Sequence, residues 1–300
     1  MAPVIQVAHL RKAYGTKVAV DDVSLTVEKG EIVGILGPNG VGKTTTVEMI
    51  AGLRVPDAGT VRVQGLDPQR SGAELRQRLA LQLQESEMPA RITVIEAMRL
   101  YASFYETPAD PDELLHDLGL EDRRTTQFRR LSGGQKQRLS VALALVGSPE
   151  IAILDELTTG LDPQARRETW GVIERIRDRG VTILLVTHFM EEAERLCDRV
   201  ILIDAGRVIA EGTPVELAAR TNLQTVRFST STRVPAGLLE GLPGVAAVTQ
   251  DGDDHEVRGA EVAVDVVLAL HGLGIRPEHL RVEQGSLDEA FVALVTATEA

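Results

Sequence analysis

The run Gly37, Pro38, Asn39, Gly40, Val41, Gly42, Lys43, Thr44 constrains this chain more than any other stretch, because it has the form G-x-x-x-x-G-K-[ST]. A short apolar run at 31–36 precedes it and reads as a buried strand; residues 45–51 can wind as a helix. Strand, glycine loop and helix in that order are the context the motif requires. The glycines let the backbone wrap closely round a phosphate, and successive N–H groups at a helix N-terminus form an anion nest. Lys43 places a cation on the β- and γ-phosphates of a nucleoside triphosphate, the Thr44 hydroxyl is a Mg²⁺ ligand, and Thr45 belongs to the same binding run. The bland alternative is a glycine-rich turn into a helix with no ligand.

Two further segments reach the same edge of such a sheet. Residues 151–154 form an apolar strand that ends in Asp155 and Glu156. In an open α/β sheet, a carboxylate at a strand's carboxyl end overhangs the crevice that holds the phosphate loop. Asp155 is then placed to hold Mg²⁺ through water, and Glu156 to polarise an attacking water as general base. Residues 181–187 make another apolar strand, which delivers His188 to that edge. Farther from the loop, Ser132, Gly133 and Gly134 open a helix running from Gln135 to residue 145. Its free N–H groups and positive dipole end offer a second place for an anion.

In order and spacing these motifs resemble the ATP-binding subunit of an ATP-binding cassette transporter, and the likeness covers residues 4 to about 220. The tail, around Ser286, Leu287, Asp288, Glu289, Ala290 and Phe291, resembles the end of bacterial drug-exporter ATPases of the daunorubicin-resistance type. The resemblance implies ATP and Mg²⁺ as cofactors and hydrolysis of ATP to ADP and phosphate. Ser132, Gly134 and Gln135 match the signature that faces ATP bound by a partner subunit, so two chains would sandwich two ATP molecules as a homodimer or heterodimer. Asp162, in Gly160-Leu161-Asp162, matches the dimer-contact loop, and His188 the switch histidine that senses the γ-phosphate. Tyr14 lies where the family stacks an aromatic on adenine. Gln84 matches the glutamine that touches metal and water and couples to the membrane domain. Gln82 is its one rival, and Gln84 is preferred because it falls just before the break at 86–89. One position departs from the pattern: Leu157 stands where the family usually has proline, which loosens a turn but removes no catalytic group.

Composition bears on the partners. A net charge of −12 argues against a general electrostatic grip on nucleic acid. The single Cys197 excludes an internal disulfide and fits a reducing compartment. No apolar run approaches the ~18 residues that span a bilayer. The resemblance therefore implies an integral membrane permease on a separate chain, with this chain peripheral at the cytoplasmic face of the cell membrane. The expected activity is export of a drug-like or other small molecule; the alternatives are the ATPase of an importer, or a cassette ATPase acting on ribosomes or DNA.

The expected fold is α/β: a P-loop NTPase cassette over 1–221 with an inserted helical lobe at about 85–146, followed by a small α+β domain over 222–300 for dimer contact or regulation. The pattern from about 74 to 145 reads as helical. In the tail, short strands are expected at 225–229, 246–250, 255–258 and 279–283, with helices at 236–242, 261–273 and 287–296.

Overall fold

The computed structural model describes residues 3–82, 88–220 and 222–299, the last four of these by backbone alone. The chain divides into two compact units, Met1–Gly212 and Thr213–Ala300. The division falls ahead of residue 222, where the sequence suggests a boundary, and assigns the short helix after Gly212 to the second unit.

The first unit opens with a hairpin of β1 (Ile5–Tyr14) and β2 (Lys17–Val27), followed by β3 (Ile32–Leu36), α1 (Lys43–Ile50), β4 (Ala58–Val63) and the single turn α2 (Gly72–Leu75). Next come β5 (Leu79–Gln82) and three helices, α3 (Val94–Ala102), α4 (Pro111–Asp117) and α5 (Gly133–Leu145). Strands and helices then alternate as β6 (Ile151–Asp155), α6 (Pro163–Asp178), β7 (Thr182–Thr187), α7 (Met190–Leu196), β8 (Arg199–Asp204) and β9 (Arg207–Gly212).

Two sheets share one core. A three-stranded antiparallel sheet has the order β2-β1-β4, and a six-stranded sheet the order β5-β6-β7-β3-β8-β9, parallel except for the β8–β9 hairpin. Every residue of β3, β6 and β7 is buried. Strands covered on both faces read as continuous apolar runs, and that is why these three were legible without alternation. Val33, Ile35, Ile153, Leu184 and Ile201 of the large sheet pack in one cluster with Ile5, Val23 and Val27 of the small one and with Val47 and Ile50 of α1. Helices α3, α4 and α5 pack on one another as a lobe. Within the stretch that reads as helical, Leu79–Gln82 is instead a strand, because it finds a parallel partner in β6, with Leu79 beside Ile151 and Gln82 beside Leu154. Four residues, three of them apolar, carry no period of their own, so only the partner decides.

The second unit contains α8 (Pro214–Ala219), β10 (Leu223–Ser229), β11 (Val245–Asp251), β12 (Asp254–Ala260), α9 (Val262–Gly272), β13 (Glu278–Gln284) and α10 (Leu287–Glu299). Its antiparallel sheet has the order β11-β12-β10-β13. Val226, Phe228, Val257, Val262, Val266 and Leu270 form a separate core under α9. Helix α10 starts at a capping box: the Glu289 N–H donates to Ser286 Oγ at 3.2 Å and the Ser286 N–H to Glu289 Oε2 at 2.9 Å. The helix expected at 236–242 is a series of turns. Pro235 and Pro243 bracket it and Gly237 sits at φ +78°, so too few residues remain for a stable helix. Leu239 is nevertheless buried, so an apolar side chain reaches the core from a turn.

Candidate nucleotide site

Three adjacent parallel strands build the site. In register, Leu36 of β3 lies beside Thr187 of β7, and Asp155 of β6 beside Val186. The chain therefore leaves β3 into the glycine loop, β7 into His188 and β6 into Glu156 at one edge of one sheet. This is the crevice where open α/β sheets bind ligands.

Packing explains the glycines of the loop. A Cβ on Gly37 (φ +154°) would lie 2.1 Å from the Ile203 carbonyl oxygen, and one on Gly42 (φ +102°) the same distance from that of Ala19. A Cβ on Gly40 would meet open space. The loop is thus pressed against β8 and β2 on its inner side and faces outward at Pro38, Asn39 and Gly40, all exposed. Gly42 is the N-cap of α1 and provides no side-chain acceptor, so the first N–H groups of that helix are turned toward the loop. Lys43 is only 4% exposed, and its Nζ donates to the carbonyls of Gly37 and Pro38, both at 2.8 Å. Burial lowers its pKa, while the charges of Glu156 and Asp155 push it up.

An open cleft of about 480 Å³ lies over this loop, lined among others by Tyr14, Lys17, Asn39, Lys43, Thr44, Thr45 and Glu156. That volume falls within the range of about 300–1,000 Å³ usual for small-molecule sites. Val41 faces inward instead and packs on the core. Tyr14 stands at the tip of the β1–β2 hairpin, 42% exposed, with the Arg54 guanidinium 5.4 Å from its ring centroid. Arg54 is itself held by Glu48 at 2.6 Å.

The carboxylates differ in environment. Asp155 is fully buried and neither of its carboxylate oxygens is hydrogen-bonded. Burial raises its pKa, the nearby Thr44 hydroxyl lowers it, and the charge of Glu156 raises it further. Glu156 has φ +50°, a backbone state that costs a residue with a Cβ about 1–3 kcal/mol. Its N–H donates to the Val186 carbonyl at 2.8 Å, which holds it there. Thr159 Oγ1 donates to Glu156 Oε2 at 3.4 Å, and His188 Nδ1 lies 3.4 Å from Glu156 Oε1. Leu157, in place of proline, is fully buried, so packing rather than a fixed φ anchors this turn.

The residues present suit a magnesium ion. A buried, unbonded carboxylate beside a threonine hydroxyl is an incomplete set of hard oxygen donors. Among the described residues no group of three or more acidic, histidine or cysteine side chains converges. Mg²⁺ commonly takes one or two protein ligands and fills its octahedron with water and substrate phosphate, and Thr44 with Asp155 fits that pattern.

Other expected site residues lie apart from this cleft. Ser132 caps α5: the Gln135 N–H donates to Ser132 Oγ at 3.3 Å, and the Ser132 N–H to Gln135 Oε1 at 3.0 Å. A Cβ on Gly134 would sit 3.1 Å from the Ala165 Cβ, so the start of α5 is packed on the start of α6. Asp162 Oδ1 accepts from the N–H groups of Gln164 and Ala165, both at 3.0 Å, and so caps α6. Ser132, Gly134, Gln135 and Asp162 do not line the cleft of their own chain. Gln84 lies outside the described residues; Gln82 ends β5 and is buried. The sequence reading overlooked Lys17, Thr159, Phe189 and Arg166. An aromatic directly after His188 was a visible signal, whereas the approach of α6 to that aromatic was not.

Comparison with known proteins follows the same pattern. The model of the family described as "ABC transporter" matches residues 20–159. The chain is 36% identical over 300 residues to the daunorubicin resistance ATP-binding protein DrrA3 of Streptomyces coeruleorubidus, covering 97% of this chain and 95% of that one. It is 43% identical over 222 residues to the Nod factor export ATP-binding protein I of Cupriavidus metallidurans, covering 72% and 73%. Among solved structures, cbiO1 from Clostridium perfringens, part of the ABC transporter complex cbiONQ, matches with a TM-score of 0.67 at 28% identity, over 73% of this chain and 92% of that one.

Proposed function

Because the chain belongs to the ABC transporter family and is an ATPase of it, we propose that it powers a separate membrane-spanning permease and that the transported cargo is a small, drug-like molecule moved outward. One observation carries the export reading: the likeness to a drug-resistance ATP-binding protein runs through the second unit as well as the cassette. Among the described residues no helix is long and apolar enough to cross a membrane. On this reading the pore is on another chain and this chain sits at the cytoplasmic face.

The geometry supports the following assignment of roles. The loop N–H groups and Lys43 hold the β- and γ-phosphates, and Tyr14 stacks on adenine. Mg²⁺, held by Thr44 and Asp155 with Gln84 as a further candidate ligand, would neutralise phosphate charge. Glu156 takes a proton from the attacking water, and its fixed backbone and the Thr159 hydrogen bond aim the carboxylate. His188, beside Glu156, contacts the γ-phosphate. Phosphoryl transfer depends mainly on positioning and electrostatic stabilisation of this kind.

Ser132, Gly134 and Gln135 are separate from their own chain's cleft, which supports their facing ATP held by a second cassette, with Asp162 at the contact. Two chains, identical or similar, would close on two ATP molecules and reopen after hydrolysis. A groove of about 250 Å³ between β5 and the helical lobe, bordered by Gln82, Met88, Tyr101, Tyr105 and Phe128, is where a short segment of the permease would dock.

The test uses Glu156→Gln loaded with ATP and captured from detergent-solubilised membranes of its host. Turnover should fall by about 10²- to 10⁴-fold, the contribution of a positioned general base, while ATP binding persists. A stoichiometric polytopic membrane protein in the eluate is the expected outcome. Ribosomal proteins or nucleic acid in its place would overturn the transport reading.

A further inference from the structure

We propose that Phe189 and Arg166 are positioning residues for His188: Arg166, on the helix capped by Asp162, holds the Phe189 ring against the imidazole and so keeps His188 beside Glu156. This inference rests on the ATPase reading of the site given above.

The contacts form an unbroken series. The Arg166 guanidinium lies 4.3 Å from the Phe189 ring centroid, and the Phe189 and His188 rings are 4.1 Å apart between centroids, tilted by 39°. His188 Nδ1 is then 3.4 Å from Glu156 Oε1. A cation at that distance from a phenyl ring is held by the ring's quadrupole. At 4.1 Å between centroids the two rings are in direct contact, so the position of one limits the tilt of the other.

Phe189 is not a core residue that merely happens to lie here. It is only half-buried, so burial alone does not fix its ring. Its backbone is fixed, because the Phe189 N–H donates to Thr187 Oγ1 at 3.0 Å. The side chain is fixed by Arg166, whose buried Nε makes no hydrogen bond. The helix that carries Arg166 and the helix that begins just after Phe189 are tied together nearby, since Trp170 Nε1 of α6 donates to Glu192 Oε1 of α7 at 3.0 Å within a buried contact.

His188 needs such a support. Its Nδ1 is buried and makes no hydrogen bond, and its one polar neighbour on that side, Glu156 Oε1, stands 3.4 Å away, too loose a contact to set the ring angle alone. Ring stacking supplies the constraint instead. Asp162 caps the helix that carries Arg166, so the histidine's support begins one turn inside the loop expected at the contact between cassettes.

The experiment compares Phe189→Leu, Phe189→Tyr, Arg166→Gln and Arg166→Lys in the full chain, with Glu156→Gln as reference. It measures kcat and KM for ATP, equilibrium ATP binding, and the His188 ring resonances by NMR. Phe189→Leu should lower kcat by about tenfold, leave ATP affinity within about twofold, and move the His188 resonances. Phe189→Tyr should restore both kcat and the resonances. Arg166→Gln should repeat the kcat loss in weaker form, and Arg166→Lys, which keeps the charge near the buried Glu192, should lose less. Wild-type kcat in both Phe189→Leu and Arg166→Gln, or unmoved His188 resonances, would overturn the proposal. If Glu156→Gln is inactive while those two variants are normal, the positioning role alone fails. Should Glu156→Gln itself turn over normally, the reading of the whole site fails with it.

Discussion

At the scale of single residues, the site contains groups that fold at a cost. Asp155 is buried with both oxygens unbonded, and Glu156 occupies a left-handed backbone state. Features of this kind persist where surrounding structure over-determines them, and they cluster at functional sites. The cost at Asp155 is measurable. Its pKa is raised in the folded chain, so the unfolded chain loses the proton first as pH rises. The penalty is fully present above the raised value and disappears below the ordinary aspartate value of 3.8. Asp155→Asn removes the buried charge and should therefore stabilise the nucleotide-free protein near neutral pH, although the amide stays an unpaired buried polar group. Urea unfolding at a series of pH values would check this, with the gap to wild type closing as the solution is acidified. The same substitution should weaken the Mg²⁺ dependence of ATP binding.

Helices and turns carry a second class of prediction. Ser132 has two functions to separate, the cap of α5 seen here and the proposed contact with a partner's ATP. Aspartate is about as good an N-cap as serine, so Ser132→Asp should change stability by less than about 0.5 kcal/mol. A carboxylate facing the γ-phosphate should nonetheless abolish the ATP-dependent dimer of Glu156→Gln, read by size-exclusion chromatography with light scattering. A dimer that survives would assign Ser132 to capping alone. The β8–β9 hairpin turns through Ala205 and Gly206, both at positive φ, 44° and 78°. Two-residue turns of this shape favour Asn-Gly, and alanine in the left-handed region costs roughly 1–2 kcal/mol. Ala205→Asn should raise the midpoint of thermal unfolding by recovering about 1 kcal/mol. Asp204 and Gly206 mark this turn in the sequence. The strain at Ala205 is not legible there, because nothing but the backbone angle reports it.

For the molecule as a whole, the two units have separate cores, and the chain's only tryptophan, Trp170, lies in the first. Phe228 lies in the second core, and truncating a buried phenylalanine costs about 3–5 kcal/mol. Phe228→Ala should therefore shift part of the far-ultraviolet circular dichroism transition and leave the Trp170 fluorescence transition and ATP binding near wild type. A shift of both signals together would mean that the units unfold as one. The phosphate loop, the acidic pair after a buried strand and the histidine after another were readable from the chain alone. Each depends on a contiguous stretch whose local chemistry is self-sufficient: glycine where a Cβ would strike a carbonyl, or an apolar run buried on both faces. The structure alone settled which strands are neighbours, that 79–82 is a strand, that 236–242 is a turn, and that Arg166 reaches Phe189. Those features depend on pairing and packing between segments far apart in sequence, and no local pattern encodes the partner.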